Sequence, residues 1–371
     1  YWLLEIQENK MRIGILGGGQ LAMMMAESAS KKYDIEFIVV DPANNPPASK
    51  YARCIKAEYT DSKSLKLLAE ECDIATIDFE NVSSSALKHL EKYIPVFPNS
   101  KSVEICQDRL SEKTLFVENN IPTTKFCPIN SENDLKSAIK EFGPDSILKS
   151  RRLGYDGKNQ IIINNKTSKD IWNDIGCVPS ILEEKVDFLT EVSLIGVKLQ
   201  SGETYFYPLV ENFHRDGILS YSIAPYENLE LQKQAETIHK QITKLINYVG
   251  VLVIEFFVNK DNQLLANEMA PRVHNSGHWT IQGTNISQFE AHIRAISGMS
   301  IENIQTNGHA AMINLISKMP KKDELNLDTN TYFYDYGKNE REKRKLGHIT
   351  IIDSNVQKLY ERLNSLKKII T

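Results

Sequence analysis

Two apolar segments joined by a polar turn decide the fold of this chain: Val251-Leu-Val-Ile-Glu255-Phe-Phe-Val258, then Asn259-Lys-Asp-Asn262, then Leu264-Leu-Ala-Asn267-Glu268-Met-Ala270. Apolar runs of this length around an Asn/Asp cluster predict an antiparallel hairpin. Such pairing brings Glu255 close to Glu268, with Asn267 beside them. Two adjacent carboxylates repel each other unless one is protonated or a cation lies between them.

This pair of acids suits a magnesium ion. Mg²⁺ is held by one or two carboxylates, and substrate phosphates complete its shell. The alternative is that Glu255 and Glu268 are strand-end glutamates at a solvent edge. The run that follows, Pro271-Arg-Val-His-Asn-Ser-Gly-His-Trp279, is too polar for a core and favours a site. We therefore predict that Glu255 and Glu268 are metal ligands.

The composition is that of an ordinary globular protein, with 41% hydrophobic and 25% charged residues among 371. A net charge of −4 argues against a nucleic-acid binder, which needs cations to neutralise phosphates. No apolar run reaches the roughly 18 residues that span a membrane. Five scattered cysteines without a C-x-x-C pair indicate reduced thiols and a cytoplasmic protein. We expect residues 1–10 to be an extension or tag and not a secretory signal.

Strands alternate with helices over the first hundred residues, which predicts a parallel sheet with right-handed crossovers. The first turn, Gly17-Gly-Gly-Gln-Leu-Ala22, fits a dinucleotide-binding pattern, and Asp41 closes the next strand. A nicotinamide oxidoreductase is therefore one alternative. It is disfavoured because such glycines also serve close helix–strand packing and because no hydride-transfer group follows. Further along the chain, we expect helices over 101–120 and 229–248 and a strand over 204–210.

A second glycine-containing loop, Gly154-Tyr-Asp-Gly-Lys-Asn-Gln160, lies between two predicted strands. Its glycines let backbone amides approach an anion, and the preceding Arg151 and Arg152 offset phosphate charge. The spacing is not that of a P-loop, and a plain hairpin with an Asp-Gly turn is the alternative. Lys149, on the strand before the loop, can reach a phosphate as a point charge.

Two further segments carry groups suited to nucleotides. The segment Ile181-Leu-Glu-Glu-Lys-Val186, followed by Glu191, offers backbone groups for an adenine and carboxylates for a ribose, although strand-end acids are common on surfaces. The segment from Lys338 to Lys345 holds five cations in eight residues. A solvated basic loop is the default interpretation, whereas a phosphorylated substrate needs two or three cations to oppose its dianion.

In combination, these motifs resemble the ATP-grasp enzymes and, more closely, the N5-carboxyaminoimidazole ribonucleotide synthetases of purine biosynthesis. The chain shares with them the Gly-Gly-Gly-Gln-Leu opening, Asp108-Arg109-Leu with Lys113, the strand lysine, the Gly-Tyr-Asp-Gly-Lys-x-Gln loop and the run from Asn267 to Trp279. The similarity extends over nearly the whole chain.

The resemblance implies an α/β and α+β multidomain architecture: an ATP-grasp fold with an N-terminal Rossmann-like parallel-sheet domain and a small C-terminal domain. We expect the N-terminal domain over 11–110 and the ATP-grasp domain over 111–300, with its lid at about 123–187. The C-terminal domain is expected over 301–371.

The resemblance also implies a reaction. ATP and bicarbonate form carboxyphosphate, and the 5-amino group of 5-aminoimidazole ribonucleotide takes up the carboxylate, with release of ADP and phosphate. Mg²⁺ is the implied cofactor, a homodimer is the implied assembly, and a mutase on a separate polypeptide is expected to act next. The alternatives are another ATP-grasp ligase, including a formate-using glycinamide ribonucleotide transformylase, and a non-catalytic nucleotide-binding regulator. The intact Glu255, Glu268 and Lys149 disfavour the last of these.

Site roles follow from the same resemblance. Glu255 and Glu268 would hold Mg²⁺, and the catalytic residues would be Arg272, His274 and Lys149. Arg272 would stabilise charge electrostatically, whereas His274 would act as an acid, a base or an orienting group. The ATP site would comprise Arg109, Lys149, Gly154, Tyr155, Asp156, Gly157, Lys158, Asn159, Gln160, Glu183, Glu184, Lys185, Val186, Glu191, His214, Asn267 and Glu268. The ribonucleotide site would comprise Glu80, Tyr155, Asp156, Lys158, Arg272, His274, Asn275, Lys338 and Arg344.

One position departs from the family pattern. The loop has Asn159 where the family usually has a third glycine, and asparagine tolerates the left-handed backbone region better than most residues. We therefore expect the loop shape to persist, with an effect on lid motion. Removal of Arg272 is expected to abolish ribonucleotide-dependent ATP hydrolysis and to leave the fold intact.

Overall fold

The N-terminal part of the chain forms a parallel sheet of strand order β3-β2-β1-β4. The structure is a computed structural model and describes residues 10–154, 159–164, 170–325 and 327–370. The sheet confirms the predicted alternation of strands and helices. Its elements are β1 (Met11–Leu16), α1 (Gln20–Ser30), β2 (Ile35–Asp41), β3 (Arg53–Lys56), α2 (Ser62–Glu71), β4 (Ile74–Ile77) and α3 (Ser84–Leu90).

The glycine turn before α1 is closed by a carboxylate of the protein itself. The backbone amides of Gly19 and Ala22 both donate to the side chain of Asp78 at 2.7 Å, and the amide of Gly18 donates to Asp41 at 2.8 Å. A Cβ at Gly19 would lie 2.4 Å from Asp78, so this close approach requires glycine. The helix start that a pyrophosphate would need is therefore already occupied by an anion.

The helical stretch predicted over 101–120 is confirmed and consists of two helices. They are α4 (Ser100–Cys106) and α5 (Arg109–Glu118). Asp108 separates them, because its side chain accepts a hydrogen bond from the amide of Leu110 and so caps α5. The cap places Arg109 at the first position of α5.

A second sheet, of strand order β5-β8-β6-β7, carries Lys149 and the glycine loop. Its strands pair antiparallel, and the glycine loop joins β6 to β7. The elements of this region are β5 (Phe126–Ile129), α6 (Glu132–Phe142), β6 (Ser146–Ser150), β7 (Gln160–Ile163), α7 (Ile171–Asp174) and β8 (Ser180–Glu184).

The central sheet has the order β14-β13-β9-β11-β12-β15-β17-β16, with β10 paired to β9. The C-terminal strands therefore extend the sheet that contains the hairpin. Its strands are β9 (Phe188–Lys198), β10 (Thr204–Phe206), β11 (Val210–Arg215), β12 (Ile218–Ala224), β13 (Gly250–Asn259), β14 (Leu264–Ala270), β15 (His309–Ile316), β16 (Thr331–Asp335) and β17 (Lys345–Asp353). The helices around it are α8 (Leu229–Leu245), α9 (Thr280–Gly283), α10 (Gln288–Ile296) and α11 (Val356–Ile370).

Two expected elements have different bounds. The strand predicted over 204–210 is divided between β10 and β11, and the Pro208 between them lacks an amide for a strand ladder. The helix predicted over 229–248 ends at Leu245, because Asn247 has a φ of 50° in the left-handed region. Along the described ranges, no helix is both long and apolar enough to cross a bilayer.

One hydrophobic core joins the N-terminal sheet to the central sheet. Apolar side chains of α1 and β1 pack in the same cluster as Val251 and Val253 of β13 and several residues of α10. Full burial of such side chains contributes about 1.5–3 kcal/mol each. The hairpin that carries the two glutamates is thus held rigidly against the N-terminal part of the chain.

Candidate active site

The hairpin pairs as the sequence predicts. Strands β13 and β14 are antiparallel, and Glu255 is the direct register partner of Glu268. The register shifts immediately afterwards, so that Phe256 faces Ala266 and Asn267 is the extra residue of a β-bulge. A bulge re-aims the side chain that it carries, and bulges are frequent beside active sites.

The two glutamates differ in their electrostatic surroundings. Burial, followed by repulsion from Glu268, raises the pKa of Glu255 to about 7. Burial also opposes ionisation of Glu268, but the guanidinium of Arg109 donates to its Oε2 at 2.8 Å and lowers its pKa overall. The balance of charge therefore favours ionisation of Glu268 over that of Glu255, and a cation between them would relieve their repulsion.

The donor set at the hairpin fits Mg²⁺. In addition to the carboxylates of Glu255 and Glu268, the buried Oδ1 of Asn267 has no hydrogen-bond partner among the described residues. Within the described ranges, no group of three or more His, Cys, Asp or Glu residues could hold a metal ion. Two carboxylates and one amide oxygen leave positions for substrate phosphates, which is the usual arrangement for this ion.

Lys149 is held by a buried acid. Its Nζ donates to Oε2 of Glu183 at 2.7 Å, and the Nζ of Lys113 lies 3.9 Å from the other oxygen of that carboxylate. Burial opposes ionisation of Glu183, but these two lysines lower its pKa to about 2. Glu183 is only 2% exposed, so this buried carboxylate fixes the position of the Lys149 ammonium group.

Glu112 and Lys113 belong to the same buried network, and no sequence motif predicted a site role for either residue. Glu112 accepts from the amide of Met269 at 2.6 Å, and burial together with the charge of Glu268 raises its pKa to about 8. Burial lowers the pKa of Lys113 to about 8. Arg109, Glu112 and Lys113 are spaced i, i+3 and i+4 on α5, so helical periodicity would have placed them on one face.

His214 and Glu191 face each other on neighbouring strands. Oε2 of Glu191 on β9 lies 2.8 Å from Nδ1 of His214 on β11. Burial lowers the pKa of His214, but Glu191 and then Glu255 outweigh it, so that the pKa is raised overall. These two predicted ATP-site residues therefore lie together and within electrostatic range of the hairpin acids.

Arg272 forms an ion pair with an acid of the N-terminal part of the chain. Its Nε donates to Oε2 of Glu80, and its Nη1 donates to the carbonyl of Val273 at 2.9 Å. Burial opposes ionisation of Glu80, but Arg272 lowers its pKa to about 2. The side chains of Arg272 and Glu80 are 14% and 23% exposed, so the pair is partly buried. Arg272 thus has a structural contact that the sequence did not indicate.

His274 contacts the first glutamate of the hairpin. Its Nε2 is 3.4 Å from Oε1 of Glu255. Burial, followed by the charge of Arg272, lowers the pKa of His274 to about 3, so the ring is neutral at pH 7. Lys345, at the start of β17, also acts electrostatically on His274 and Glu255, a role that its place in the basic segment did not indicate.

The basic segment meets the N-terminal domain at the start of α1. Nζ of Lys338 donates to the side chain of Gln20, and burial followed by the charge of Arg344 lowers the pKa of Lys338 to about 8. The buried Asp78 also acts on Lys338. The guanidinium of Arg344 donates to the carbonyl of Asn339 at 3.1 Å. Lys338 and Arg344 are therefore close enough to repel each other, which suits a site for an anion.

The side-chain amide of Asn275 is hydrogen-bonded to the side-chain amide of Asn314. Its Nδ2 donates to Oδ1 of Asn314 at 3.1 Å, and Nδ2 of Asn314 donates back at 2.6 Å. Because Asn275 is only 8% exposed, this reciprocal pair fixes its side chain. Its predicted contact with the ribonucleotide stays a prediction.

The remaining predicted residues lie along the glycine loop and the end of β8. Asn159 has a φ of 56° and its Nδ2 donates to the carbonyl of Leu153 at 3.2 Å, so the left-handed conformation expected of it is confirmed. The carbonyl of Gly154 accepts from Arg109 at 3.4 Å. Gln160 opens β7, and Glu184, Lys185 and Val186 follow the buried part of β8 at its surface end. Four predicted residues lie outside the described residues: Tyr155, Asp156, Gly157 and Lys158.

Three family models match successive parts of the chain. They are the ribonucleotide synthetase preATP-grasp domain over residues 10–107, the ATP-grasp domain over 114–289, and the phosphoribosylaminoimidazole carboxylase C-terminal domain over 310–362. These matches confirm the predicted fold class.

Known proteins resemble the chain over almost its full length. An N5-carboxyaminoimidazole ribonucleotide synthase of Pseudomonas aeruginosa is 40% identical over 97% of this chain and 99% of its own. The crystal structure of N5-carboxyaminoimidazole ribonucleotide synthetase from Thermus thermophilus has a TM-score of 0.90 and 39% identity, covering 97% of this chain and 98% of its own. The Aspergillus clavatus synthase, solved with ADP and 5-aminoimidazole ribonucleotide, has a TM-score of 0.87 and 25% identity, covering 98% and 99%.

Proposed function

Because this chain belongs to the N5-carboxyaminoimidazole ribonucleotide synthase family, we propose that the site around Glu255 and Glu268 is where it carboxylates 5-aminoimidazole ribonucleotide. The enzyme is an ATP-dependent ligase of purine biosynthesis that forms a carbon–nitrogen bond. The observation that carries the placement is the direct opposition of the two glutamates, with Arg109 at Glu268 and His274 at Glu255.

The nucleotide end of the site combines the hairpin acids with the cations of α5 and β6. Glu255, Glu268 and Asn267 would hold Mg²⁺, which neutralises charge on the β- and γ-phosphates when it is bound. Lys149, oriented by Glu183, and Arg109, oriented by Glu268, supply fixed positive charge beside the same acids. Fixed charges of this kind cost no reorganisation during phosphoryl transfer.

The carboxylation end of the site begins at Arg272. In the proposed reaction a bicarbonate oxygen attacks the γ-phosphorus of ATP, ADP leaves, and the resulting carboxyphosphate gives its carboxyl carbon to the 5-amino group. Phosphate is released, and the amine loses one proton. Arg272 is the cation that acts most strongly on His274, and it would stabilise negative charge on the bicarbonate-derived group.

The acceptor ribonucleotide would bind between the N-terminal domain and the basic segment. Lys338 and Arg344 offer two cations for a phosphate dianion, and Glu80 holds Arg272 across the same boundary. The glycine loop between β6 and β7 would close over carboxyphosphate, because this intermediate must be kept from water.

The test is ADP release with and without 5-aminoimidazole ribonucleotide, at fixed bicarbonate and Mg²⁺. We expect release to require the ribonucleotide, to stop when EDTA removes Mg²⁺, and to fall at least about 100-fold in Glu255→Gln. The matched control is Glu203→Gln, because Glu203 is an exposed acid on a loop between β9 and β10. Turnover with formate and glycinamide ribonucleotide, and none with 5-aminoimidazole ribonucleotide, would overturn the assignment.

The assembly, the cellular location and the domain bounds are proposed on the basis of the same family membership. A homodimer, a separate mutase that consumes the N-carboxylated product, a cytoplasmic location and the domain bounds given above are part of the proposal. Light scattering of the purified chain checks the dimer.

A further inference from the structure

The ring of His274 is held through its Nδ1 atom. The backbone amide of Ser276 points at this nitrogen with an N···N distance of 3.3 Å, and the hydroxyl of Ser276 lies 2.9 Å from it. His274 caps the short turn Asn275–Gly277, and the Ser276 amide is the group that it accepts from. The backbone of His274 is fixed as well, since its N–H donates to Gln288 at 2.9 Å and its carbonyl accepts from Gln288 at 2.6 Å.

These contacts assign the proton on the ring. A backbone amide can only donate, so the nitrogen that it meets must be an acceptor. A neutral imidazole has one acceptor and one N–H, and therefore Nε2 of His274 carries the hydrogen. A protonated ring would place a second hydrogen against the Ser276 amide and is excluded on the same ground. The N–H at Nε2 is then directed to the side of the site where Oε1 of Glu255 lies, at 3.4 Å.

A buried chain of side chains extends this arrangement away from the site. The hydroxyl of Ser193 on β9 donates to the hydroxyl of Ser276 at 2.9 Å, and Nδ2 of Asn212 on β11 donates to Ser193 at 3.0 Å. Ser193 and Ser276 are fully buried, and Asn212 is 4% exposed. Because Ser276 accepts from Ser193, its single hydrogen is left for Nδ1 of His274. Hydroxyl and amide donors therefore run in one direction, from Asn212 to the ring.

We propose that Ser276 and Ser193 are positioning residues that hold His274 as its Nε2–H tautomer. His274 then takes part in the reaction as a hydrogen-bond donor to an oxygen of the bicarbonate-derived group, and not as the base that removes the amine proton. This inference rests on the proposed function for the identity of that group, whereas the tautomer rests only on the contacts of Nδ1.

The tautomer is tested by nuclear magnetic resonance of the full chain labelled with ¹⁵N-histidine. The chain has eight histidines, and the spectrum of His274→Gln identifies the signals of His274 by their loss. We expect Nδ1 of His274 to resonate as an unprotonated nitrogen and Nε2 as a protonated one. The opposite pattern would overturn the proposal. The tautomer is read from the wild-type protein, and the His274→Gln variant is needed only to assign the signals.

The role in the reaction is tested by kinetics at varied bicarbonate. We expect Ser276→Ala to lower kcat/KM for bicarbonate about fivefold, because one hydrogen bond is worth about 1 kcal/mol, and the more distant Ser193→Ala to lower it about threefold. The KM for ATP should stay within about twofold in both, which a general loss of structure would not allow. If Ser276→Ala does not fold, Ser193→Ala carries the test.

The matched control is Ser102→Ala. Ser102 is fully buried and donates to the carbonyl of Ile246 at 2.8 Å, but it lies on α4 and is not part of the hydrogen-bonded chain from Asn212 to His274. We expect it to have wild-type kinetics. Unchanged kcat/KM for bicarbonate in folded Ser276→Ala and Ser193→Ala would contradict the proposal, as would an equal rise in the KM for ATP. If the proposed function were wrong, the result would differ from a failure of the positioning proposal. Wild-type protein would then show no bicarbonate-dependent ADP release, whereas the tautomer of His274 could still be measured.

Discussion

The ion pair between Arg272 and Glu80 predicts that one substitution damages folding and turnover for separate reasons. Arg272→Met removes the cation that keeps Glu80 charged, and Glu80 has a pKa of about 2 beside it. A buried charge without its partner costs about 3–5 kcal/mol. Because the two side chains are 14% and 23% exposed, we expect a smaller loss, of about 2–3 kcal/mol in the free energy of unfolding.

A double-mutant cycle separates the two effects. Glu80→Gln combined with Arg272→Met removes both charges, so most of the lost stability should return, with a coupling energy of about 1–3 kcal/mol. Turnover should not return, because the positive charge toward the bicarbonate-derived group is still missing. We expect ribonucleotide-dependent ADP release to fall at least about 100-fold in both variants that lack Arg272.

The measurements are urea unfolding followed by circular dichroism, and ADP release at saturating ATP. Arg53→Met is the matched control, since Arg53 forms an ion pair with Glu71 on a more exposed surface, with side chains 47% and 31% exposed. It should cost less than about 1 kcal/mol and leave turnover unchanged. Near-normal turnover in Arg272→Met would refute the role assigned to this residue. A double variant no more stable than Arg272→Met would refute the pairing argument.

Three further predictions follow from the same contacts. Lys149→Met should lower ADP release at least about 100-fold and destabilise the fold by about 2–4 kcal/mol, because Glu183 loses the cation that is hydrogen-bonded to it; a variant with wild-type turnover would contradict this. In metal-free protein, the pKa of Glu255 is raised from 4.5 to about 7 on folding, so the folded state binds its proton more tightly than the unfolded state does. The resulting contribution to the free energy of unfolding is fully present below pH 4.5 and is lost as the pH rises through about 7. Urea unfolding should therefore show a loss of about 1–3 kcal/mol from pH 5 to pH 8 that Glu255→Gln abolishes, and an equal loss in that variant would exclude Glu255 as the source. Asn159→Gly should change the free energy of unfolding, measured by thermal unfolding, by less than about 1 kcal/mol, since either residue adopts a positive φ. A larger loss would show that the hydrogen bond from Asn159 to the carbonyl of Leu153 contributes more than the backbone conformation does.

The sequence predicted best those features of the site that depend on residues close together in the chain. The hairpin and the opposition of Glu255 and Glu268 followed from two apolar runs and a turn, and the register confirms them. The left-handed backbone conformation of Asn159 was likewise expected, because asparagine tolerates this conformation better than most residues. The β-bulge at Asn267 could not be predicted, because register shifts depend on pairing with β13 and leave no local pattern.

The resemblance placed Glu80 and Arg272 in one site but did not predict that they form an ion pair, and it gave Ser193 no role. Glu80 lies 192 positions before Arg272, and Ser193 lies 83 positions before Ser276. Nothing in the local sequence marks such a serine as part of a site, since buried serines also satisfy backbone groups elsewhere. The split of the helix over 101–120 was different, because Asp108 is a common helix cap and the signal was present.

Transfer of an oxygen atom from bicarbonate to phosphate would show that the enzyme forms carboxyphosphate. If bicarbonate attacks ATP and carboxyphosphate then gives up its carboxyl carbon, one bicarbonate oxygen must remain on the phosphate. With ¹⁸O-labelled bicarbonate, 5-aminoimidazole ribonucleotide and ATP, each phosphate released should carry one ¹⁸O by mass spectrometry. Phosphate that instead takes its oxygen from water would contradict the account, because ATP would then be hydrolysed without activating bicarbonate.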